Sequence, residues 1–84
     1  MSLIFAEEAW EDYLYWQKQD RKMVERINKL IQEIQRDPFA GIGKPEPLKH
    51  ALAGFWSRRI TDEHRVVYKV DGDALLIAQL RYHY

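Results

Sequence analysis

The spacing of hydrophobic residues changes along the chain, from a helical rhythm in the first half to strand-like alternation in the second. The clearest helix lies between Asp20 and Asp37, where apolar residues recur at intervals of three and four: Met23, Val24, Ile27, Leu30, Ile31 and Ile34. Asp20 is a suitable N-cap, and Asp37-Pro38 should end the helix because proline disfavours the helical conformation in the residue before it. We therefore predict an amphipathic helix that lies across a sheet.

The segment before this helix predicts a short strand over Ser2–Phe5 and a first helix over Glu7–Gln17. Acidic residues in the first turn favour this helix start, since they interact well with the positive end of the helix dipole. Large apolar residues fall at helical spacing here, and we expect Trp10, Tyr13 and Leu14 to pack on the core.

In the second half, the stretches FWSRRIT and HRVVYKV alternate in polarity and predict two strands of a hairpin. Successive side chains of a strand point to opposite faces, so residues of like character should pair across the hairpin. A loop of Asp62 to His64 achieves this by setting Ile60 against Val66 and Arg59 against Val67.

The same reasoning predicts a second hairpin with a loop of Asp71 to Asp73, which would place Leu76, Ala78 and Leu80 in the core. One polar face of the sheet would then collect Gln79, Arg81 and His83 together with Arg59 and Arg65. Arg58 has the parity of the apolar face, so we expect it to emerge at an edge or at a bend in its strand.

Length and composition exclude several classes of protein. Eighty-four residues make one domain, spanning 1–84, with a thin core. The chain has no cysteine and only three histidines without paired spacing, so we expect no metal site and no cofactor. No apolar run is long enough to span a membrane, and no cleavable leader is present, so we expect a cytoplasmic protein without membrane contact.

The charges are balanced overall but uneven along the chain. Residues through Gly43 include six basic and eight acidic side chains, and those from Lys44 onward include seven basic and five acidic. Chance accounts for so small a difference as well as function does. The basic residues do gather in one part of the chain, as phosphate binding requires: Lys44, Lys49, Arg58, Arg59, Arg65 and Lys69.

Three residues of the second half are candidates for chemistry, and each has an ordinary alternative. Glu46 lies between Pro45 and Pro47, which hold the chain extended, yet the residues by themselves favour an ordinary loop carboxylate. Arg65 fits a solvated strand charge, and His83 fits a disordered terminal residue. His50 and His64 are expected to be structural or surface residues.

Over its full length the chain resembles the YoeB-type toxins of the RelE superfamily, which are bacterial toxin-antitoxin endoribonucleases. The resemblance rests on the blocks LIFAEEAWEDYLYW, GKPEPLKH, GFWSRRI, EHRVVYKV and RYHY. It implies an α+β fold with two N-terminal helices packed on a small twisted antiparallel sheet, as in microbial ribonucleases. It also implies an mRNA interferase that cuts message in the A site of the 70S ribosome.

The resemblance further implies the partners and the site. The partners are a YefM-like antitoxin, the ribosome with its mRNA, operator DNA only as the toxin-antitoxin complex, and a second copy in a homodimer. The family pattern makes Glu46, Arg65, His83 and Tyr84 catalytic, and it makes Lys49 and Arg59 phosphate-binding residues.

The residue types suit metal-independent cleavage of RNA by attack of the ribose 2′-OH on the adjacent phosphorus. Glu46 suits the general base and His83 the general acid, while Arg65, Lys49 and Arg59 suit stabilisation of phosphate charge. Two other classes of function remain open. Basic residues interleaved with aromatic residues also suit a non-catalytic module that binds RNA or operator DNA, and a free-standing ribonuclease would carry the same groups.

Overall fold

The structure is a computed structural model that describes residues 1–82. His83 and Tyr84 lie outside the described residues. The elements, in chain order, are β1 (Ser2–Phe5), α1 (Glu7–Gln19), α2 (Arg21–Arg36), β2 (Glu46–Pro47), a 3₁₀ helix (His50–Leu52), β3 (Trp56–Arg59), β4 (Arg65–Asp71) and β5 (Ala74–Gln79). The strands form one sheet in the order β1-β5-β4-β3-β2.

The α+β class is confirmed, with both helices packed on the sheet through one hydrophobic core. The two predicted hairpins are antiparallel, and so is the further pair of β2 with β3, but β1 runs parallel to β5, so the sheet is mixed. The parallel pair arises because the chain leaves β1 through both helices and returns to the sheet from the opposite edge. No helix in residues 1–82 is long and apolar enough to cross a membrane.

Helix α2 follows its predicted bounds and its predicted face. The Asp20 carboxylate accepts a hydrogen bond from the Lys22 N–H at 3.0 Å, which caps the first turn, and the helix ends immediately before Asp37. The buried residues of this helix are Met23, Ile27, Leu30, Ile31 and Ile34.

Helix α1 packs on a different face from the one predicted. Trp10 is 49% exposed and Leu14 is 41% exposed, whereas Ala9 and Trp16 are buried. Tyr13 is half-buried and packs against the core, so the prediction was wrong for Trp10 and Leu14 and correct for Tyr13. Ala9 is small, so α1 can approach the sheet closely at this position. Asp12 lies between Ala9 and Trp16, and its carboxylate accepts a hydrogen bond from the backbone N–H of Leu80. A pattern that weights only large apolar residues misses such a face.

The hairpin of β3 and β4 has the predicted parity but a shifted register. Arg59 lies opposite Arg65, and Arg58 lies opposite Val66. The loop is Thr61 to Glu63 rather than Asp62 to His64, because the Ile60 N–H donates to the His64 carbonyl at 2.8 Å. The observed pairing differs from the predicted one by two residues, because Arg59 pairs with Arg65 and not with Val67. A shift of two leaves every side chain on its predicted face.

The hairpin of β4 and β5 was predicted incorrectly. Asp71 pairs with Ala74 across the two residues Gly72 and Asp73, and Gly72 has φ of +60°, which a left-handed first turn position requires. This even-numbered turn buries Leu75 and Ile77 in place of Leu76 and Ala78. An irregularity in the pairing between Val67 and Tyr68 then shifts β5 by one residue relative to β4. As a result Leu80 is buried as predicted, and Gln79 lies opposite Val67 on the predicted polar face.

Arg58 is fully buried, which contradicts its predicted emergence at an edge. Its Nε donates to the Tyr68 hydroxyl at 3.1 Å, and its two terminal nitrogens donate to the carbonyls of Ile42 (3.1 Å), Ala40 (3.0 Å) and Asp37. The guanidinium is therefore satisfied by backbone oxygens of the loop after α2. This loop leads directly to Glu46.

Candidate active site

Glu46 lies on strand β2, a two-residue strand where sequence reasoning expected an irregular segment. It is directly opposite Ser57 of β3, and its side chain is exposed. Pro47 faces Trp56 in the next position. The carboxylate is thus held by sheet pairing as well as by the two prolines that flank it.

Two arginines face each other on the neighbouring strands. Arg59 of β3 is directly opposite Arg65 of β4; the first is exposed and the second is half-buried. Each guanidinium presents a planar fork that meets two oxygens at once, so two arginines on one face are suited to phosphate.

These three side chains share the face of the sheet that points away from the helices. Opposed residues point to one face, and Ser57 and Arg59 are two apart on β3, so Glu46 has the same orientation as both arginines. Strand spacing places the Glu46 Cα about 8 Å from that of Arg59 and about 12 Å from that of Arg65. Long side chains reach one another over such distances.

Lys49 lies near Glu46, in the segment that follows β2. It is exposed, and it lies directly before the 3₁₀ helix His50–Leu52. Together with Glu46 it lines an open depression of about 550 Å³, whose lining is Glu46, Pro47, Leu48, Lys49, His50, Ala51 and Leu52.

The predicted pair His83 and Tyr84 lies outside the described residues. The last described residue, Tyr82, accepts a hydrogen bond at its carbonyl from the Arg65 N–H at 3.2 Å. Tyr82, the residue before His83, is therefore hydrogen-bonded to strand β4 at Arg65.

Sequence reasoning missed Ser57 on the same face, whereas Lys69 was already among the basic residues that it named. Ser57 is fully buried, and its Oγ has no hydrogen-bond partner among residues 1–82. Lys69 lies with its Nζ 5.5 Å from the centre of the Phe55 ring, a cation–π contact beside the site. The parity of FWSRRIT places Ser57 with Arg59, so the alternation itself carries the signal that could have identified it.

A small apolar floor lies beneath these polar groups. Leu48 is 7% exposed and Val67 is 2% exposed, yet neither belongs to the core on the helix side of the sheet. The Leu48 N–H donates to the Phe55 carbonyl at 2.9 Å, which ties the segment after Glu46 to β3. Within residues 1–82, no group of three or more His, Cys, Asp or Glu side chains could hold a metal ion.

A model of the family of YoeB-like toxins of bacterial type II toxin-antitoxin systems matches residues 5–84. The chain belongs to this family. It is 64% identical to the toxin YoeB of Escherichia coli K12 over 84 residues, the whole of both chains. The family assignment made from the sequence blocks is confirmed.

Solved structures agree with the fold. A YoeB/ParE toxin from Agrobacterium tumefaciens is 55% identical with a TM-score of 0.98, and all of both chains is covered. A YoeB dimer from Staphylococcus aureus is 49% identical with a TM-score of 0.93, and a YoeB–YefM complex from the same organism is 48% identical with a TM-score of 0.92. In both comparisons the aligned region covers 100% of this chain and 98% of the S. aureus chain.

One titratable group near the end of the chain is perturbed. Burial raises the pKa of Asp12 from its ordinary value of 3.8, and the hydrogen bond from the Leu80 N–H (2.9 Å) opposes that rise. Nearby Glu8 raises the pKa further, while Arg81 lowers it. The folded state therefore disfavours the charged carboxylate but needs its oxygen as an acceptor.

We expect the variant Asp12→Asn to be at least as stable as the native chain at pH 7, because the amide oxygen still accepts from Leu80 and carries no charge. Since the folded pKa is raised, the native chain loses stability as pH rises from about 4 through the folded pKa. The advantage of Asp12→Asn should therefore grow over that range in urea unfolding. The control Asp12→Ala should lose about 1–3 kcal/mol, since the Leu80 N–H loses its acceptor. If the native chain instead became more stable relative to Asp12→Asn as the pH rises, this account would be contradicted.

Proposed function

We propose that this chain is a ribosome-dependent mRNA interferase, an endoribonuclease that cuts mRNA in the ribosomal A site and so inhibits translation. The observation that carries the proposal is the strand register, in which Glu46, Arg59 and Arg65 share one open face. Membership of a toxin family gives this face its biological setting.

The reaction follows from the residue types on that face. The 2′-OH of the nucleotide before the cut loses its proton to Glu46 and attacks the adjacent phosphorus, and the bond to the 5′ oxygen breaks. His83 protonates that leaving oxygen. Negative charge builds on the phosphoryl oxygens in the transition state, where donors held in place by the protein are most effective.

Arg65 is the main stabiliser of that charge, with Arg59 and Lys49 holding flanking phosphates. A guanidinium presents a planar fork that meets two phosphate oxygens at once, which an ammonium group cannot do. Histidine fits the acid role because its pKa lies near neutrality and a neighbouring phosphate raises the protonated fraction. Tyr84 stacks on a base or donates to phosphate.

The partners follow from size and from the relatives. A chain of 84 residues has little surface with which to grip single-stranded RNA, so the ribosome positions the message for it. A YefM-like antitoxin neutralises the toxin, a proposal supported by the complex known for the S. aureus relative. Operator DNA is bound only by the toxin-antitoxin complex, and the chain forms a homodimer, as the dimeric relative suggests.

Product analysis tests this function. Purified protein is mixed with ribosomes programmed with a defined message, and the cut ends are identified. We expect a 2′,3′-cyclic phosphate and a 5′-hydroxyl, with naked RNA of the same sequence cut far more slowly. A message with 2′-deoxyribose at the cut nucleotide should resist cleavage, because the nucleophile is missing.

The other outcomes separate the competing functions. Equal cleavage of naked and ribosome-bound RNA would indicate a free-standing ribonuclease. Ends carrying a 3′-hydroxyl and a 5′-phosphate would exclude attack by the 2′-OH. Binding without any cleavage would indicate a non-catalytic RNA- or operator-binding module.

A further inference from the structure

The three residues before His83 belong to no helix or strand, yet their backbone is held from two sides. Strand β5 ends at Gln79. The Leu80 N–H donates to Asp12 Oδ2 at 2.9 Å, and the Leu80 carbonyl accepts from Trp16 Nε1 at 2.9 Å. Both partners lie on α1, so the helix fixes the direction in which the chain leaves the sheet.

The next anchor acts on Tyr82, the residue adjacent to the proposed acid. Its N–H donates to His64 Nδ1 at 2.8 Å, and its carbonyl accepts from the Arg65 N–H at 3.2 Å. Because Nδ1 accepts, the proton of the neutral imidazole is on Nε2. The His64 ring also packs against the rings of Trp16 (4.8 Å) and Tyr82 (5.2 Å).

The backbone of Tyr82 needs such an anchor. Its φ is +61°, in the left-handed region that a residue with a bulky side chain rarely adopts. Conformations of this kind persist only where surrounding contacts hold them, and they concentrate at functional sites. Here the contacts are His64 and Arg65, and the strained residue directly precedes the proposed catalytic pair.

Arg81, between the two anchored residues, adds a contact of another kind. Its guanidinium carbon lies 3.6 Å from the centre of the Tyr15 ring and 4.8 Å from that of Tyr82. It also donates to the Tyr82 hydroxyl at 3.1 Å. The side chains of this segment are therefore occupied with α1 and with each other.

We propose that Asp12, Trp16 and His64 form a clamp that fixes the backbone of Leu80 and Tyr82 and so restricts where the catalytic pair His83 and Tyr84 can lie. The inference rests on the proposed ribonuclease function. Consecutive Cα atoms are about 3.8 Å apart, so fixing Tyr82 limits the space that the acid can reach. His64 is a positioning residue and does not itself exchange a proton with the substrate.

Two variants of His64 separate its acceptor atom from its ring. His64→Phe keeps an aromatic ring against Trp16 and removes the acceptor, whereas His64→Asn keeps an acceptor oxygen at the Nδ1 position and removes the ring. We expect His64→Phe to lower kcat for cleavage on programmed ribosomes by on the order of tenfold to a hundredfold, since small displacements of a catalytic group have effects of that size. KM should stay within about twofold because the phosphate-binding arginines are untouched, and His64→Asn should recover most of kcat.

A double-mutant cycle with His83→Gln distinguishes positioning from general weakening of the fold. If His64 acts through His83, His64→Phe should have little further effect on the residual kcat of His83→Gln. Equal losses in both backgrounds would overturn the proposal. So would a native kcat in His64→Phe, or a failure of His64→Asn to exceed His64→Phe.

A measurement without substrate keeps the clamp testable apart from the ribonuclease function. In ¹⁵N relaxation experiments, we expect the heteronuclear NOE of the His83 amide to be lower in His64→Phe than in the native chain and to recover in His64→Asn. An unchanged NOE would refute the clamp. An inactive native chain with the expected NOE pattern would refute the ribonuclease function and leave the clamp standing.

Discussion

Replacing Glu46 with glutamine is expected to lower mRNA cleavage on the ribosome by a factor on the order of 10² to 10⁴, the usual contribution of a general base. The amide has nearly the shape of the carboxylate but cannot take the proton of the 2′-OH. Ribosome binding should be unchanged or slightly tighter, because Glu46 shares its face with Arg59 and Arg65 and its charge repels phosphate. Single-turnover cleavage and ribosome co-sedimentation measure the two effects separately.

The matched control for this variant is Glu25→Gln. Glu25 is an exposed glutamate of α2, so its loss changes the net charge equally without touching the candidate site. It should cleave at the native rate. His83→Gln should behave as Glu46→Gln does, with binding kept and cleavage lost. If Glu46→Gln and His83→Gln both cut message normally, the acid–base mechanism is wrong.

That Arg59 and Arg65 share one face could be predicted because it depends on parity alone, whereas Glu46 was expected on an irregular segment and lies on β2. The β3–β4 loop was placed one residue too late, yet the two-residue slip left Arg59 and Arg65 on the same side of the sheet. A shift of one residue would have placed them on opposite faces of the sheet. Thus the shared face of the two arginines was predicted from a register that was wrong in detail.

In the β4–β5 hairpin, by contrast, the error in loop length was one residue, which moves side chains to the opposite face. Whether the loop has two or three residues decides which of Leu75 or Leu76 is buried, and both are leucines, so the side chains themselves give no preference. The answer depends on the left-handed backbone of Gly72 and on an irregularity at Val67 and Tyr68, neither of which follows from polarity.

The clamp on the terminal segment could not be predicted from local patterns. Asp12 and Leu80 are 68 positions apart, and Trp16 and Leu80 are 64 apart. In a helical pattern Asp12 is simply a polar residue between aromatic ones. Only the packing of α1 against the end of β5 gives it a partner.

Arg58 is the largest conflict between the hydrophobic pattern and the fold. An isolated charge inside a protein is costly, so sequence reasoning moved this residue to an edge. The core instead supplies hydroxyl and carbonyl acceptors, and Tyr68 completes the arrangement by donating from its hydroxyl to the Pro38 carbonyl at 2.7 Å. Burial raises the pKa of Tyr68, and the Arg58 hydrogen bond opposes that rise, so the phenol keeps the proton that it donates.

Replacing Arg58 with methionine is therefore expected to destabilise the fold by about 3–5 kcal/mol, because one buried polar group left without its partner costs about 1–3 kcal/mol and several acceptors are affected. Methionine fills much of the volume but donates nothing, so the carbonyls of Asp37, Ala40 and Ile42 are left without their donor. That loss is a large part of the roughly 4–13 kcal/mol expected for a domain of this size. Urea unfolding followed by circular dichroism measures it.

The control is Arg36→Met on the surface of α2. Arg36 forms an ion pair with Glu33 at 3.6 Å, and its side chain is 81% exposed, so its replacement should change stability by less than about 1 kcal/mol. Arg58→Lys should fall between the two methionine variants, because it keeps the charge but cannot reach four acceptors with one nitrogen. It should also lower cleavage, since the loop that Arg58 holds leads to Glu46 and its Gly43 carbonyl accepts from the Arg59 N–H at 2.7 Å. Equal stability of Arg58→Met and Arg36→Met would mean that the buried guanidinium does not hold this loop.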